Sequence, residues 1–171
     1  MGNRLNPADI PVALRLLLHP SELYEDLAEA LGVSISSAHR SVKRLQDAGL
    51  LRSHGRIVNR LALSEFLRHG IRYAFPAIAG PLRRGVPTAH SAPPLADEIV
   101  SDQAVVWPSA KGEVRGVSVS PLYREAPGLL DRDPELYQML ALVDAIRFGQ
   151  ARERNRAKEL LDECILQAEA A

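Results

Sequence analysis

Short helical segments separated by proline and glycine dominate the first fifty residues of the chain. Asn6 and Pro7 begin the first segment, because Asn6 can cap a helix and a proline at the first helical position loses no hydrogen bond. Pro20 ends this segment, and Ser21 begins the next one. Gly32 and Gly49 end the next two, since glycine readily takes the left-handed conformation of a helix C-cap. The positions of these caps, prolines and glycines predict three consecutive helices joined by short turns.

The third of these helices has two chemically different faces. Ser34 is placed to cap it, and apolar residues at helical spacing form one narrow stripe: Ile35, Ala38, Val42 and Leu45. The opposite arc carries hydroxyl groups first and long cations after them: Ser36, Ser37, Arg40, Lys43 and Arg44. We expect the stripe to pack on the second helix and the polar arc to project outward.

A short β-hairpin is predicted directly after the third helix. Residues 50–53 and 56–59 are expected to form two strands, and the pair His54-Gly55 fits a tight turn between them. A fourth helix is expected from about residue 64 to residue 74, because apolar residues recur there at helical spacing.

The order of helix, helix, turn, helix and hairpin predicts a winged helix-turn-helix that binds double-stranded DNA. In this arrangement the second helix packs across the third, whose outer face is free to enter a major groove. Arg40 is the expected base contact, because one guanidinium can donate to both O6 and N7 of guanine. Ser36 and Ser37 would bond phosphate or a base edge, and Lys43 and Arg44 phosphate. The hairpin supplies the remaining predicted contacts, at the neighbouring minor groove: Arg52, His54 and Arg56.

The distribution of charge supports this interpretation, although the net charge of the chain is zero. Residues 34–87 hold ten lysines and arginines but only two acidic side chains, whereas residues 95–171 hold nine basic and fourteen acidic ones. Attraction to phosphate depends on a local basic patch rather than on the average. Cations opposite an apolar stripe usually mark only a solvated helix face. Here, however, the caps, the turn and the basic hairpin occur together, which favours a DNA-binding face.

Residues 23–58 resemble the winged helix of MarR-type transcriptional regulators. The resemblance is carried by the DLAEALGVS turn, by the SSAHRSVKRL stripe that follows and by the GLL run leading into the wing. It implies a two-fold dimer, built largely from terminal helices, that binds a palindromic operator. The chain departs from the compact members of that family in its short wing and in residues 76–133, which have no counterpart there.

The segment 76–133 has no strong helical or strand period. Nine of the twelve prolines lie between residues 76 and 134, together with five glycines. Because the segment is too apolar for a free linker, we expect ordered, loop-rich structure with a short strand pair across 104–107 and 113–120. Trp107 is expected to be a core anchor, with a ligand-stacking role as the alternative. The chain beyond the wing also resembles uncharacterised bacterial winged-helix proteins, some of them associated with nucleotidyltransferase toxin genes.

A long C-terminal helix is predicted from its cap, Asp133, to about Ala168, and only Gly149 interrupts the pattern. Two apolar stripes lie on this helix, and a small winged domain can cover one of them at most. Burial of the other stripe therefore predicts a homodimer. The residues expected at the dimer interface are Leu136, Leu140, Val143, Leu160, Leu161 and Ile165.

The sequence carries no motif of a catalytic, metal or cofactor site: it has no glycine-rich phosphate loop, no HExxH and no paired CxxC. We therefore expect no enzyme activity, no metal and no cofactor. No apolar run has the length of a membrane helix and no signal-peptide pattern is present, which predicts a cytoplasmic protein without a membrane partner. Cys164, the single cysteine, is expected to be a small core residue, with a redox switch as the alternative.

These expectations combine into a mainly α fold with a small β-hairpin wing. The predicted parts are a winged helix-turn-helix domain over residues 1–75, a proline-rich irregular segment over 76–133 and a dimerisation helix over 134–171. The leading hypothesis is a homodimeric bacterial repressor or autoregulator of transcription that binds a specific DNA sequence. The alternative is an antitoxin-like or adaptor protein whose C-terminal half binds a partner enzyme, such as the product of a neighbouring gene.

Overall fold

A computed structural model describes residues 4–167 as a mainly helical fold. Its first three helices are α1 (Asp9–Leu18), α2 (Tyr24–Leu31) and α3 (Ile35–Asp47), which confirms the three predicted helices. Ser34 caps α3 by accepting a hydrogen bond from the amide of Ser37 at 3.1 Å. Gly32 ends α2 in the left-handed conformation, with φ of +70°.

The first two helices begin later than the sequence predicts. The side-chain oxygen of Asn6 accepts from the amide of Ala8 at 3.1 Å, so residues 6–8 form a turn instead of the first helical turn. The carboxylate of Glu22 is bonded by the guanidinium of Arg15 on α1, and α2 begins only at Tyr24. In both cases a side-chain contact favours a turn over continuation of the helix.

The predicted wing is present but very short. Leu51 and Val58 form a single antiparallel pair, flanked by a hydrogen bond of 2.8 Å from the amide of Arg52 to the carbonyl of Ile57. Gly55 adopts φ of +81° in the connecting turn, a conformation that glycine takes without strain. The hairpin prediction is therefore confirmed, with a ladder too short to form two full strands.

A second helical stretch follows the wing: α4 (Arg60–Glu65), a π-helical turn (Phe66–Gly70) and α5 (Ile71–Ala74). It begins four residues before the predicted start at residue 64. The physical reason is a cap that the prediction omitted, since the side chain of Asn59 accepts from the amide of Ala62 at 3.2 Å.

Three strands in the middle of the chain close into a small barrel: β1 (Leu82–Pro87), β2 (Val105–Pro108) and β3 (Val114–Ser118). Strand β1 is antiparallel to both of the others, and β2 is parallel to β3. The two strands predicted across 104–107 and 113–120 exist and pair with each other in parallel. Strand β1, which also pairs with each of them, was not predicted.

Glycine makes this barrel small enough to close. A Cβ atom on Gly112 would lie 2.1 Å from the carbonyl carbon of Gly85, a distance that no pair of unbonded atoms tolerates.

Short helical turns at Ala89–Ser91, Leu95–Asp97 and Ala126–Gly128, followed by α6 (Leu129–Arg132), complete the segment. The expectation of ordered, loop-rich structure is thus correct.

The C-terminal part consists of two helices, α7 (Pro134–Phe148) and α8 (Ala151–Gln167), so the expectation of one long helix is wrong. Asp133 caps α7 as predicted, accepting from the amide of Leu136 at 3.1 Å. Gly149 takes an extended conformation with ψ of 159°, which ends α7 and lets α8 fold back against it. Ala168 and the three residues after it lie outside the described residues.

The predicted dimer interface assumed one long helix with an apolar stripe that a single chain leaves uncovered. The reversal of the chain at Gly149 removes that stripe from the surface. The two apolar stripes now face each other and the rest of the chain in one continuous core. Five of the six predicted interface residues are at most 1 % exposed: Leu136, Leu140, Val143, Leu161 and Ile165. The sixth, Leu160, is half-buried. The prediction that one chain leaves a stripe uncovered is wrong.

Cys164 is exposed, contrary to the expectation of a core residue. The buried face of α8 follows Ala157, Leu161 and Ile165 at intervals of four residues, which places Cys164 beside that face. Partial burial, together with the charges of Glu135 and Glu163, raises the pKa of its thiol above the ordinary value. Because the thiolate is the reactive form, this environment disfavours the redox role.

A buried carboxylate joins the barrel to the terminal helices. Asp144 on α7 accepts from Trp107 Nε1 at 2.5 Å, from Thr88 Oγ1 at 2.8 Å and from Arg147 Nη1 at 2.6 Å. Burial raises the pKa of this carboxyl, while Arg147 and the two neutral donors act against that rise. Trp107 is 1 % exposed and meets the ring of Tyr137 edge-on, which confirms it as a core anchor.

Asp144→Ala should lower the free energy of unfolding by about 3–5 kcal/mol, because it leaves the buried cation of Arg147 without its partner. Gln138→Ala, on the exposed side of the same helix, is the control and should change stability by less than about 0.5 kcal/mol. Chemical denaturation of both variants measures the difference. Equal midpoints would show that the Asp144 network does not hold the barrel to α7.

Candidate nucleic-acid interface

Helix α3 is attached to the body of the protein by one face. Ala38, Val42 and Leu45 of the predicted stripe are buried against α1 and α2. Ile35, the first residue of the predicted stripe, is instead 45 % exposed because it lies in the first turn of α3, beyond the edge of this contact. The opposite face of α3 remains open to solvent along its length.

An ion pair adds to this attachment. The guanidinium of Arg44 bonds both carboxylate oxygens of Asp9, at 2.6 and 2.8 Å, and also donates to Ser41 at 3.1 Å. Asp9 is fully buried, and its contact with Arg44 raises the pKa of the guanidinium. The predicted phosphate contact by Arg44 is therefore not supported, because its donors are directed into the protein.

The exposed face of α3 carries the predicted hydroxyl groups and cations other than Arg44. Ser36 and Arg40 are exposed, and Arg40 Nη2 donates to the hydroxyl of Ser37 at 3.1 Å. Lys43, whose side chain is 64 % exposed, pairs with Asp47 at 2.7 Å across one helical turn. Such an exposed pair contributes little to stability. The arrangement offers a row of hydrogen-bond donors on a single helix face.

A small aromatic junction connects α2, α3 and the wing. The ring of His39 on α3 stacks on Tyr24 of α2 with centroids 3.6 Å apart. The guanidinium of Arg56, from the wing, lies 4.6 Å from the centroid of the same tyrosine ring. This contact accounts for the half-buried position of Arg56, which the sequence placed at the minor groove. Tyr24 and His39 were not among the predicted site residues.

The rest of the wing is held close to α3. Gln46 Nε2 donates to the carbonyl of Gly55 at 2.7 Å, which fixes the turn of the hairpin against the C-terminal end of the helix. Arg52 and His54 are exposed on the outside of this hairpin, as the sequence predicts for wing contacts. The wing therefore extends the surface of α3 and projects only a short way beyond it.

The basic residues between 34 and 87 do not form one patch. Those near the exposed face of α3 and the wing are Arg40, Lys43, Arg52 and Arg56. Arg60, Arg68 and the neighbouring Arg72 lie on the α4–α5 stretch, where Arg60 and Arg68 bond residues of α8. Arg83 and Arg84 belong to β1 of the barrel. The sequence alone could not show that these cations lie on different surfaces, because their positions relative to one another depend on the fold.

A comparison with family models agrees with this geometry. The model for winged helix-turn-helix DNA-binding domains matches residues 16–52, which run from the end of α1 through α3 to the first side of the wing. The N-terminal part of this chain is a winged helix-turn-helix and is similar in sequence to DNA-binding domains of that type. Comparisons with curated proteins and with solved structures gave no match.

The matched residues include the winged helix's two central helices and the turn between them, but end before Val58 completes the wing.

Within residues 4–167, no three histidine, cysteine or carboxylate side chains are grouped so that they could hold a metal ion. No helix in the same range has the length and apolar character needed to span a membrane.

The ion pair of Arg44 can be tested separately from DNA contacts. Arg44→Gln should lower the free energy of unfolding by about 3 kcal/mol, since it leaves Asp9 buried and charged without its partner. Asp9→Asn in the same chain should recover part of this loss. Arg52→Gln, which removes an exposed cation of the wing, should leave the unfolding midpoint unchanged. If Arg44→Gln keeps native stability and weakens only DNA binding, Arg44 contacts DNA.

Proposed function

We propose that this protein binds a specific sequence in double-stranded DNA and acts as a transcriptional repressor or autoregulator of the MarR-like type. The observation that carries the proposal is the exposed donor row of α3, on a helix whose other face is buried in a winged helix-turn-helix. An α-helix of this kind fits the major groove, where base edges differ in their donors and acceptors. Its role is binding rather than catalysis, and the proposed location is the cytoplasm.

Seven side chains of α3 and the wing have proposed roles. Arg40 reads a guanine, with the hydroxyl of Ser37 orienting its guanidinium at 3.1 Å. Ser36 and Lys43 bond phosphate on either side of that contact. At the wing, Arg52 and His54, which are both exposed, approach the minor groove. Arg56 acts indirectly, by holding the wing against Tyr24.

Arg40→Ala and Lys43→Ala separate base reading from phosphate attraction. On a duplex selected by the native protein from a random-sequence pool, Arg40→Ala should cost about 1–3 kcal/mol per half-site and much less on unselected DNA. Lys43→Ala should weaken binding to both duplexes about equally and reduce the slope of log affinity against log salt by about 1 per protomer. Fluorescence anisotropy across a salt series measures both effects.

Two results would contradict these roles. If no duplex is enriched and binding is independent of salt, the chain does not bind DNA through this surface. If Arg40→Ala and Lys43→Ala lower affinity for selected and unselected DNA by the same factor, Arg40 contacts phosphate and sequence is read elsewhere.

We further propose that the protein binds a palindromic operator as a homodimer. One recognition helix contacts only a few base pairs, so two helices about 34 Å apart give the length of a specific site. A groove of about 480 Å³ between the end of α1, the wing and the end of α8 is a surface that a second copy could cover. Its rim carries large exposed apolar side chains: Ile57, Leu61 and Leu166.

Leu61→Glu should dissociate the dimer, because it puts a charge at the most exposed apolar position of this groove. Ile78→Glu is the control, since Ile78 is 79 % exposed but lies outside the groove. Sedimentation at micromolar concentration should give a dimer for the native chain and for Ile78→Glu, and a monomer for Leu61→Glu. A native monomer that retains sequence-specific binding would exclude the dimer.

A further inference from the structure

The stretch α4–α5 runs antiparallel to α8, and their contacts fix the register. Arg60 Nη1 reaches the carbonyl of Ile165 at 3.4 Å. One helical turn further along α4, the hydroxyl of Ser64 donates to Asp162, and Arg68 in the π-helical turn pairs with the same carboxylate at 2.8 Å. Residue numbers therefore rise on one helix as they fall on the other.

This register places four cations together, which we name the seam cluster: Arg68, Arg72, Arg154 and Lys158. Residues four apart are neighbours on one helix face, so Lys158 and Arg154 continue the row that begins at Asp162. Across from them, the α4–α5 stretch continues from Arg68 to Arg72. Within residues 4–167, Asp162 is the carboxylate that forms an ion pair with this cluster.

The three arginines of the seam cluster are close enough to Lys158 for their charges to act on its ammonium group. Burial lowers the pKa of the half-buried Lys158 ammonium below its ordinary value, and the three arginines of the cluster lower it further. Like charges at this spacing reduce the stability of a helix pair when nothing compensates them. By contrast, Arg15, which also lies between elements, is paired with the carboxylates of Glu22 and Asp133.

Several of these side chains are also held in position. Arg154 Nη1 donates to the carbonyl of Gly149 at 3.2 Å, and the guanidinium of Arg72 lies 5.3 Å from the ring of Tyr73. Arg68 is anchored by Asp162, and its Nε is buried without a hydrogen-bond partner. Arg68 lies in the π-helical turn (Phe66–Gly70), a feature that often occurs at functional sites.

We propose that the seam cluster is a binding site for phosphate groups, selective for compact multivalent anions such as a diphosphate. Fixed guanidinium groups donate in pairs to phosphate oxygens, and an anion with two or more charges neutralises several cations at once. A phosphorylated small molecule and the backbone of a nucleic acid present the same chemistry. The site is separate from the exposed face of α3 and does not depend on the DNA-binding role proposed above.

Calorimetric titration of the full chain with pyrophosphate at low ionic strength tests the site. Arg72→Gln with Lys158→Gln removes two cations and their mutual repulsion, so this double variant should fold with an unchanged or higher unfolding midpoint. It should bind pyrophosphate at least about tenfold more weakly than the native chain. Arg152→Gln is the matched control, because Arg152 is an exposed cation on the same helix; it should bind within about twofold of the native chain.

A parallel titration with the duplex selected by the native protein identifies the source of the phosphate. Pyrophosphate binding that the double variant loses and Arg152→Gln keeps supports a small phosphorylated ligand. An unchanged response to pyrophosphate, with a fall in duplex affinity confined to the double variant, supports contact with the DNA backbone. If neither ligand distinguishes the double variant from Arg152→Gln, the seam cluster is only a solvated basic face and the proposal is wrong. A failure of duplex binding in all chains would count against the DNA-binding role alone.

Discussion

The ion pair between Arg44 and Asp9 determines which face of α3 is available to DNA. Asp9 is fully buried at the start of α1, and both of its carboxylate oxygens are bonded by the guanidinium of Arg44. Together with the apolar stripe of α3, this pair fixes both the rotation and the position of the helix. Removing one partner of such a pair is costly because the other charge remains buried. The exposed donors of α3 depend on that rigid attachment for their geometry.

The helices near the N-terminus could be predicted because their signals are local. Ser34, Gly32 and the spacing of Ala38, Val42 and Leu45 all act within a few residues of one another, and the structure agrees with each of them. The barrel depends on pairing between residues far apart in the sequence. Leu82 faces Val117 in the ladder of β1 and β3, and no local pattern in a proline-rich segment contains that information. The same limit explains why β1 was not predicted.

The error at the C-terminus has a related cause. The periodic pattern from 134 to 168 fits one helix or two, and the choice depends on what is available to bury the apolar side chains. The backbone reverses at Gly149, so that α7 and α8 cover each other's apolar faces within a single chain. Burying this area within the chain avoids the entropic cost of association. The surface proposed for a second copy is the groove beside Leu61, which includes Leu166 at the end of α8 but none of the six residues predicted for the interface.

The candidate DNA-binding residues also differ in how far the sequence alone could identify them. Ser36, Arg40 and Lys43 were predicted from helical spacing, and the structure leaves them exposed on one face. Arg44 and Arg56 have the right charge and spacing, but their partners are residues of other elements that only the fold brings near. His39 lies in the same outward arc as Ser36 and Lys43, so a complete projection of α3 identifies it. Its partner Tyr24 could be found only from the structure.

We propose that the exposed face of α3 enters the major groove of DNA. Amide chemical-shift mapping of the isotope-labelled full chain, titrated with its selected duplex, can locate the surface that binds. The largest shifts should fall on residues 34–47 and on the wing, while the amides of α7 and the barrel strands stay near their free positions. Shifts concentrated on the barrel or on α7, with α3 unaffected, would contradict it.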